Sequence, residues 1–176
     1  MCIRDSTSQY VELLKETKTN VLDTRKTTPG WRVLEKAAVA HGGGVNHRMG
    51  LYDAVMVKDN HLVGVADFEV LQGKIALLKE QYPDVPVIIE VDTQAQLIEI
   101  LKLKNVDRIL LDNMNNQQLI EAVELVKGRV SLEASGGINL TTAQGIAKTG
   151  VDYISVGALT HSVPTLDLSM EVVKVS

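Results

Sequence analysis

Short apolar runs recur along the chain, and most of them stop abruptly at a polar tip. Residues 21–22, 54–57, 85–89, 108–111, 130–134 and 153–156 are rich in Val, Ile and Leu. Near-continuous runs of this length are expected of strands covered on both faces, because a strand with one wet face alternates apolar and polar residues. The stretches between them have helical spacing. Residues 10–18 place Tyr10, Leu13 and Leu14 on one side. A second helix opens at Pro29, carries Trp31, Leu34, Ala37 and Ala38 on one side, and stops at the triple glycine from Gly42. A third covers 65–81 with Val70, Ile75, Leu77 and Leu78 as its apolar side. Thr93 can cap a helix running to residue 103, another spans 116–127, and Thr141 or Thr142 begins one that reaches Gly150. Residues 166–175 read as a final strand or a short helix.

Strand, polar tip and helix thus repeat. From Glu90 onward the tips recur roughly every 22 residues, close to the minimum for a βα unit with short loops. Right-handed crossovers put every tip on the same edge of the sheet. The pattern predicts an α/β fold: a TIM-like parallel (β/α) barrel of about six to seven strands with one active face. An open doubly wound sheet is the alternative. It normally carries a glycine-rich loop after its first strand, whereas the glycine loops here follow the late strands. Residues 7–176 are read as one barrel domain, and residues 1–6 are unassigned, a non-native start that connects to nothing downstream.

Composition narrows the function. A length of 176 residues suffices for one sizeable core, and a single Phe and a single Trp make that core aliphatic. Net charge is −4, so any cationic cluster is local and nucleic acid is not the expected partner. Cys2 is the sole cysteine, which suits a reducing cytoplasm and leaves no disulfide framework or thiolate metal site. No apolar run reaches membrane-spanning length, and residues 1–6 lack the apolar core of a signal peptide.

The chemistry concentrates between Asp23 and His61. Arg25, Lys26, His47, Arg48 and Lys58 stand in loops or at strand ends, where α/β barrels place their reactive groups. They read as a pocket for a polyanion or, less economically, as a structural network with Asp23, Asp53 and Asp59. Glu90 and Asp112 end neighbouring strands. They are expected to hold Mg²⁺ through water and substrate oxygens, to bond ribose hydroxyls, or to form salt bridges with Lys58 or Arg25. Ser135-Gly136-Gly137-Ile138 and Gly157-Ala158 follow consecutive late strands. Glycines there let backbone N–H groups approach a phosphate, although they also serve plain tight turns. His41, His47 and His61 lack metal-ligand spacing, His61 is expected to orient a neighbour, and Met49, Met56 and Met114 read as core filler.

Taken together, Asp23 to Gly30, Gly42 to Gly50, Val57 to His61, Glu90-Val91-Asp92, Leu111-Asp112-Asn113, Glu133 to Ile138 and Ser155 to Ser162 resemble the quinolinate phosphoribosyltransferase family, from about Tyr10 to the C-terminus. The resemblance implies a pentosyltransferase of NAD biosynthesis that makes nicotinate mononucleotide, pyrophosphate and CO₂ from quinolinate and phosphoribosyl pyrophosphate with Mg²⁺. It implies Lys26, Lys58, Glu90 and Asp112 as catalytic residues, with Lys26 or a water protonating the ring carbon. Arg25, Lys26, His47, Arg48 and Lys58, with Thr24, would form the quinolinate and pyrophosphate pocket. Glu90 and Asp112 would serve ribose and Mg²⁺, and Ser135, Gly136, Gly137, Gly157, Ala158 and His161 the 5-phosphate. In the family's homodimer an N-terminal domain covers the partner's active site and adds an arginine. No counterpart precedes the barrel here, so the chain is expected to be a fragment that self-associates and turns over poorly when expressed from Met1. Three rivals accompany this reading: a molybdenum-uptake paralogue on the same barrel, a Schiff-base aldolase acting through Lys58 on a phosphosugar, and an inactive barrel. The Lys58-Asp59-Asn60-His61 tetrad favours the quinolinate enzyme over the paralogue.

Overall fold

The computed structural model describes residues 2–58, 68–163, 167 and 169–172. Asp59, Asn60, His61 and half of the expected last element (166, 168 and 173–175) lie outside them, and the described half, 167 and 169–172, is neither strand nor helix. The described elements run α1 (Ile3–Leu14), β1 (Asn20–Leu22), α2 (Arg32–His41), β2 (Val55–Val57), α3 (Phe68–Gln81), β3 (Val87–Val91), α4 (Gln94–Ile100), β4 (Arg108–Asp112), α5 (Asn116–Val126), β5 (Ser131–Ser135), α6 (Ala143–Ala147), β6 (Tyr153–Ser155) and α7 (Ala158–His161).

The six strands form one parallel sheet in the order β1-β6-β5-β4-β3-β2. Read from β2, that order is simply sequential and returns to β1. A doubly wound sheet reverses direction at a switch point and does not give it. Past β1 the ring extends by one more position, because Val45 pairs in parallel with Leu22. Val45 donates to the Val21 carbonyl at 2.8 Å and accepts from Asp23 at 3.3 Å. The result is the expected TIM-like barrel, nearly closed, with the remaining seam between Val45 and β2. Arg48 reaches across that seam, its Nη1 3.4 Å from the Ala54 carbonyl.

Period-two alternation sorts each strand between two environments. Val87, Ile89, Val91, Ile109, Leu111, Leu132, Ala134 and Ile154 point outward and build the main core with the helices. Ala54, Ile88, Leu110 and Met56 form a small apolar plug inside. Around that plug the interior is polar: Glu90 and Glu133 are buried on β3 and β5. The helices start where their caps allow. Thr93 and Asn115 each close a capping box with the glutamine three residues on.

Several expectations change: α2 opens at Arg32 rather than Pro29, α6 ends at Ala147 short of Gly150, and three further differences bear on the site. The first helix starts at Ile3 rather than Tyr10, and its Thr7 side chain is fully buried with a bond to the Ile3 carbonyl. Strand β3 runs two residues later than the apolar run 85–89, so Glu90 lies inside it and not beyond its end. On α2 the side read as apolar is the wet one: Trp31 is 58% exposed and Leu34 61%, while Glu35, Lys36 and Val39 are buried. That rotation is electrostatic. Lys36 turns inward because Asp23, itself buried at the tip of β1, requires a cation.

Candidate active site

The tips of β1 to β6 converge on one mouth. A cavity of about 330 Å³ there is lined by Thr24, Arg25, Lys26, His47, Arg48, Met56, Lys58, Glu90, Leu110, Asp112, Glu133, Ser135 and Ser155. Beside it, a second cavity of about 510 Å³ is lined by Gly136, Gly137, Ile138, Asn113, Gly157, Ala158 and His161, together with Thr24, Lys26, Asp112, Ser135 and Ser155. Those last five residues line both, so the two cavities are adjoining lobes of one site. Every residue singled out in the sequence as catalytic or substrate-binding borders one lobe or the other. A further cavity of about 430 Å³ at the opposite end of the barrel shares His47 and Arg48 with the mouth.

The cationic lobe is organised by contacts that sequence reading did not find. Asp23 accepts from Lys36 Nζ at 2.6 Å and from the His47 N–H at 2.7 Å through the same oxygen. Lys36 also donates to the His47 carbonyl at 3.0 Å. One buried pair therefore grips the His47 backbone from both sides. Burial pushes the Asp23 carboxyl up, and Lys36 and the His47 N–H pull it only partly back. From the start of α2, Arg32 donates to the carbonyls of Arg25 and Met49 at 3.1 Å each and to the Thr27 hydroxyl at 3.0 Å. Thr160 on α7 donates to the Lys26 carbonyl at 2.7 Å. Asp53 accepts the N–H groups of Met49 and Gly50. The sequence contained the relevant signal, Glu35-Lys36 set between apolar residues on both sides (Val33-Leu34 and Ala37 to Ala40), but a charged residue on a helix is more simply read as exposed.

These contacts show how the tip charges are used. Asp23 and Asp53 bond to Lys36 and to backbone groups, and among the described residues neither forms a salt bridge with Arg25, Lys26 or Arg48. Burial and the nearby Arg25 lower the Arg48 pKa, against the pull of Asp53, Glu133 and Glu90. Two guanidinium groups lining one cavity, that of Arg48 partly desolvated, favour an anion between them. Lys58 meets Glu90 at 3.1 Å, as the salt-bridge reading of Glu90 expected. Asp112 accepts from the Asn113 side chain at 2.7 Å. Met56 packs inside the barrel with its sulfur 3.1 Å from Arg48 Nη2, so it contacts the site as well as filling space.

In the second lobe Gly136 and Gly137 both have positive φ, +97° and +61°. A Cβ on Gly136 would fall 2.1 Å from the Asn113 side-chain oxygen, and one on Gly157 would lie 3.0 Å from the His161 ring. Glycine is required at Gly136 for both conformation and space, and the turn brings peptide groups to the surface of the lobe. The helices that follow are short, five residues in α6 and four in α7, so the turns rather than helix dipoles form this lobe. His161 Nδ1 lies 2.6 Å from the Ser162 hydroxyl.

A family model described as quinolinate phosphoribosyl transferase, C-terminal domain, matches residues 3–171. The chain belongs to this family. A Bacillus subtilis protein named probable nicotinate-nucleotide pyrophosphorylase (carboxylating) is 41% identical over 170 residues, covering 97% of this chain and 58% of its own length. The tobacco protein named quinolinate phosphoribosyltransferase (decarboxylating) 2a, mitochondrial, is 43% identical over 167 residues, covering 86% of this chain and 48% of itself. The solved nicotinate-nucleotide pyrophosphorylase of Francisella tularensis superposes with a TM-score of 0.84 at 39% identity, covering 95% of this chain and 58% of that one. This quinolinate phosphoribosyltransferase-family chain thus spans about half the length of the curated relatives it matches.

Because Lys36 and Asp23 are 1% and 0% exposed, breaking the pair strands a buried charge. Lys36→Met is expected to lower unfolding free energy by about 3–5 kcal/mol in urea titration, and Asp23→Asn added to it should restore part of the loss.

Proposed function

We propose that this chain binds quinolinate and phosphoribosyl pyrophosphate side by side at the barrel mouth. There it joins them, giving nicotinate mononucleotide, pyrophosphate and CO₂ in NAD biosynthesis. The observation that carries this is the pair of adjoining lobes, one cationic and one glycine-lined, sharing Thr24, Lys26, Asp112, Ser135 and Ser155. A dicarboxylate suits the first lobe and a sugar phosphate the second, which places the sugar between them.

Arg25 and Arg48 clamp the ring carboxylates, and Lys58 offers a point charge beside Glu90. The turn at Gly136 and Gly137, with Gly157, Ala158 and His161, holds the 5-phosphate. The pyridine nitrogen attacks the anomeric carbon as the bond to pyrophosphate breaks, and Lys26 and Lys58 stabilise the departing charge. The cationic ring then accepts the electron pair released when the adjacent carboxylate leaves as CO₂, and the carbon takes up one proton. Glu90 and Asp112 fit Mg²⁺ only as partial ligands. Both border the first lobe, and no cluster of three His, Cys, Asp or Glu side chains exists among the described residues. Substrate and water oxygens would complete the shell. Mg²⁺ held there would supply charge neutralisation for pyrophosphate.

The Schiff-base alternative fits less well. A nucleophilic lysine is usually desolvated or set beside another cation, whereas the Lys58 side chain is 48% exposed and faces a carboxylate. Cytoplasmic placement and a homodimer belong to the same proposal. Among the described residues no helix is long and apolar enough to cross a membrane. Calorimetry tests the two-lobe arrangement: each ligand is expected to bind when the other is already present, and mutual exclusion would contradict it.

A further inference from the structure

Glu133 lies on β5 at the base of the mouth, fully buried, and neither the clamp nor the phosphate lobe uses it. Both of its oxygens are engaged. Oε1 faces His47 Nε2 at 3.3 Å and accepts the Ser155 hydroxyl. Oε2 accepts from Arg108 Nη1 at 3.0 Å, and the Arg108 guanidinium lies 4.0 Å over the Tyr153 ring. The other nitrogen of the His47 ring, Nδ1, accepts the backbone N–H of Arg48 at 2.7 Å. A ring nitrogen that accepts an N–H carries no hydrogen itself, so the ring hydrogen belongs on Nε2, pointing at Glu133. In this arrangement both nitrogens of His47 are committed to the protein.

We propose that Glu133 is a positioning residue: it fixes the His47 ring and tautomer, the ring fixes the Arg48 peptide, and the peptide sets the line along which the Arg48 guanidinium enters the mouth. The chain of contacts is continuous from the buried carboxylate to the cation. Arg48 is then anchored at both ends, by its N–H to His47 and by Nη1 and Nη2 to the Ala54 carbonyl and the Met56 sulfur. His47 acts in this scheme through Arg48 and presents no ring nitrogen to the substrate. The inference rests on the reading of Arg48 as a carboxylate clamp.

Glu133→Gln tests it. The amide oxygen is drawn to Arg108, which turns the amide N–H₂ toward His47 Nε2, where two N–H groups would collide. The ring must then shift its hydrogen to Nδ1 and lose the Arg48 bond. Ring ¹⁵N spectra of the full chain are expected to show an Nε2–H form for His47 in the wild type and its loss in the variant. Quinolinate affinity should fall about 10- to 100-fold, the range found at metal sites when an outer partner that orients a binding residue is removed. Phosphoribosyl pyrophosphate affinity should stay essentially unchanged. A simple structural pairing of Glu133 with Arg108 would not move the His47 signals. An Nδ1–H form in the wild type, or an unaltered ring signal with unaltered quinolinate affinity in the variant, overturns the proposal. If Glu133→Gln fails to fold, Glu133→Asp keeps the charge near Arg108 but withdraws the oxygen from His47. The same losses are then expected, and wild-type behaviour overturns the proposal. If the wild type itself binds no quinolinate, the clamp reading fails, and the ring spectra still decide whether Glu133 sets the tautomer.

Discussion

Arg48→Ala is expected to weaken quinolinate binding by about 2–5 kcal/mol, the scale for removing one partner of a buried charge pair. The guanidinium is half-buried, bridges the barrel seam and reaches into the cationic lobe beside Arg25. Its deletion removes the planar donors a carboxylate would use, while the backbone N–H at position 48 and its bond to His47 stay in place. Lys in its place would keep the charge but lose the fork, so Arg48→Lys should recover only part of the affinity. Calorimetry with quinolinate alone measures both. A dissociation constant close to the wild type for Arg48→Ala would mean that Arg25 and Lys58 carry the dicarboxylate without it.

Gly136→Val should abolish phosphoribosyl pyrophosphate binding and leave quinolinate binding far less affected. The backbone at Gly136 has φ +97°, where a β-branched residue is strained. The added Cβ would also meet the Asn113 side chain at 2.1 Å and its backbone nitrogen at 3.0 Å. The Ser135–Gly136 turn must therefore open or the β4 tip must move, and either change distorts the surface on which a phosphate would lie. Arg25, His47 and Arg48 stand on loops near the β1 and β2 ends of the sheet and are not pushed by that contact. Equal loss for both ligands would indicate general misfolding, and unchanged phosphoribosyl pyrophosphate binding would place the phosphate elsewhere.

The regular parts of this barrel were legible because local chemistry decides them. The apolar runs, the cap at Thr93, and the glycines after β5 and β6 identify strand, helix and turn without long-range information. The tip residues were legible for the same reason: polar residues ending apolar strands have only one edge to occupy. What stayed hidden is paired across distance. Lys36 reads as a solvated helix position until Asp23, thirteen residues earlier, is known to lie buried beneath it. Glu133 reads as the polar member of a strand until Arg108, His47 and Ser155 are seen to surround it, a network that holds its carboxyl below the ordinary range although burial pushes it up. Trp31 and Leu34 were misplaced because the apolar side of α2 gives way to the charge pair. In each case a buried ion outranked periodicity, since an unpaired charge inside costs more than an exposed aliphatic side chain.

The most direct test of the central reading is a carboxylate-release assay on the longest natural reading frame that contains this sequence. Quinolinate labelled in the carboxyl group next to the ring nitrogen is incubated with phosphoribosyl pyrophosphate and Mg²⁺. The two-lobe account predicts labelled CO₂, pyrophosphate and nicotinate mononucleotide in equal amounts, with none formed when phosphoribosyl pyrophosphate is left out. Both ligands bound with no labelled CO₂ released, or CO₂ released without phosphoribosyl pyrophosphate, would contradict it.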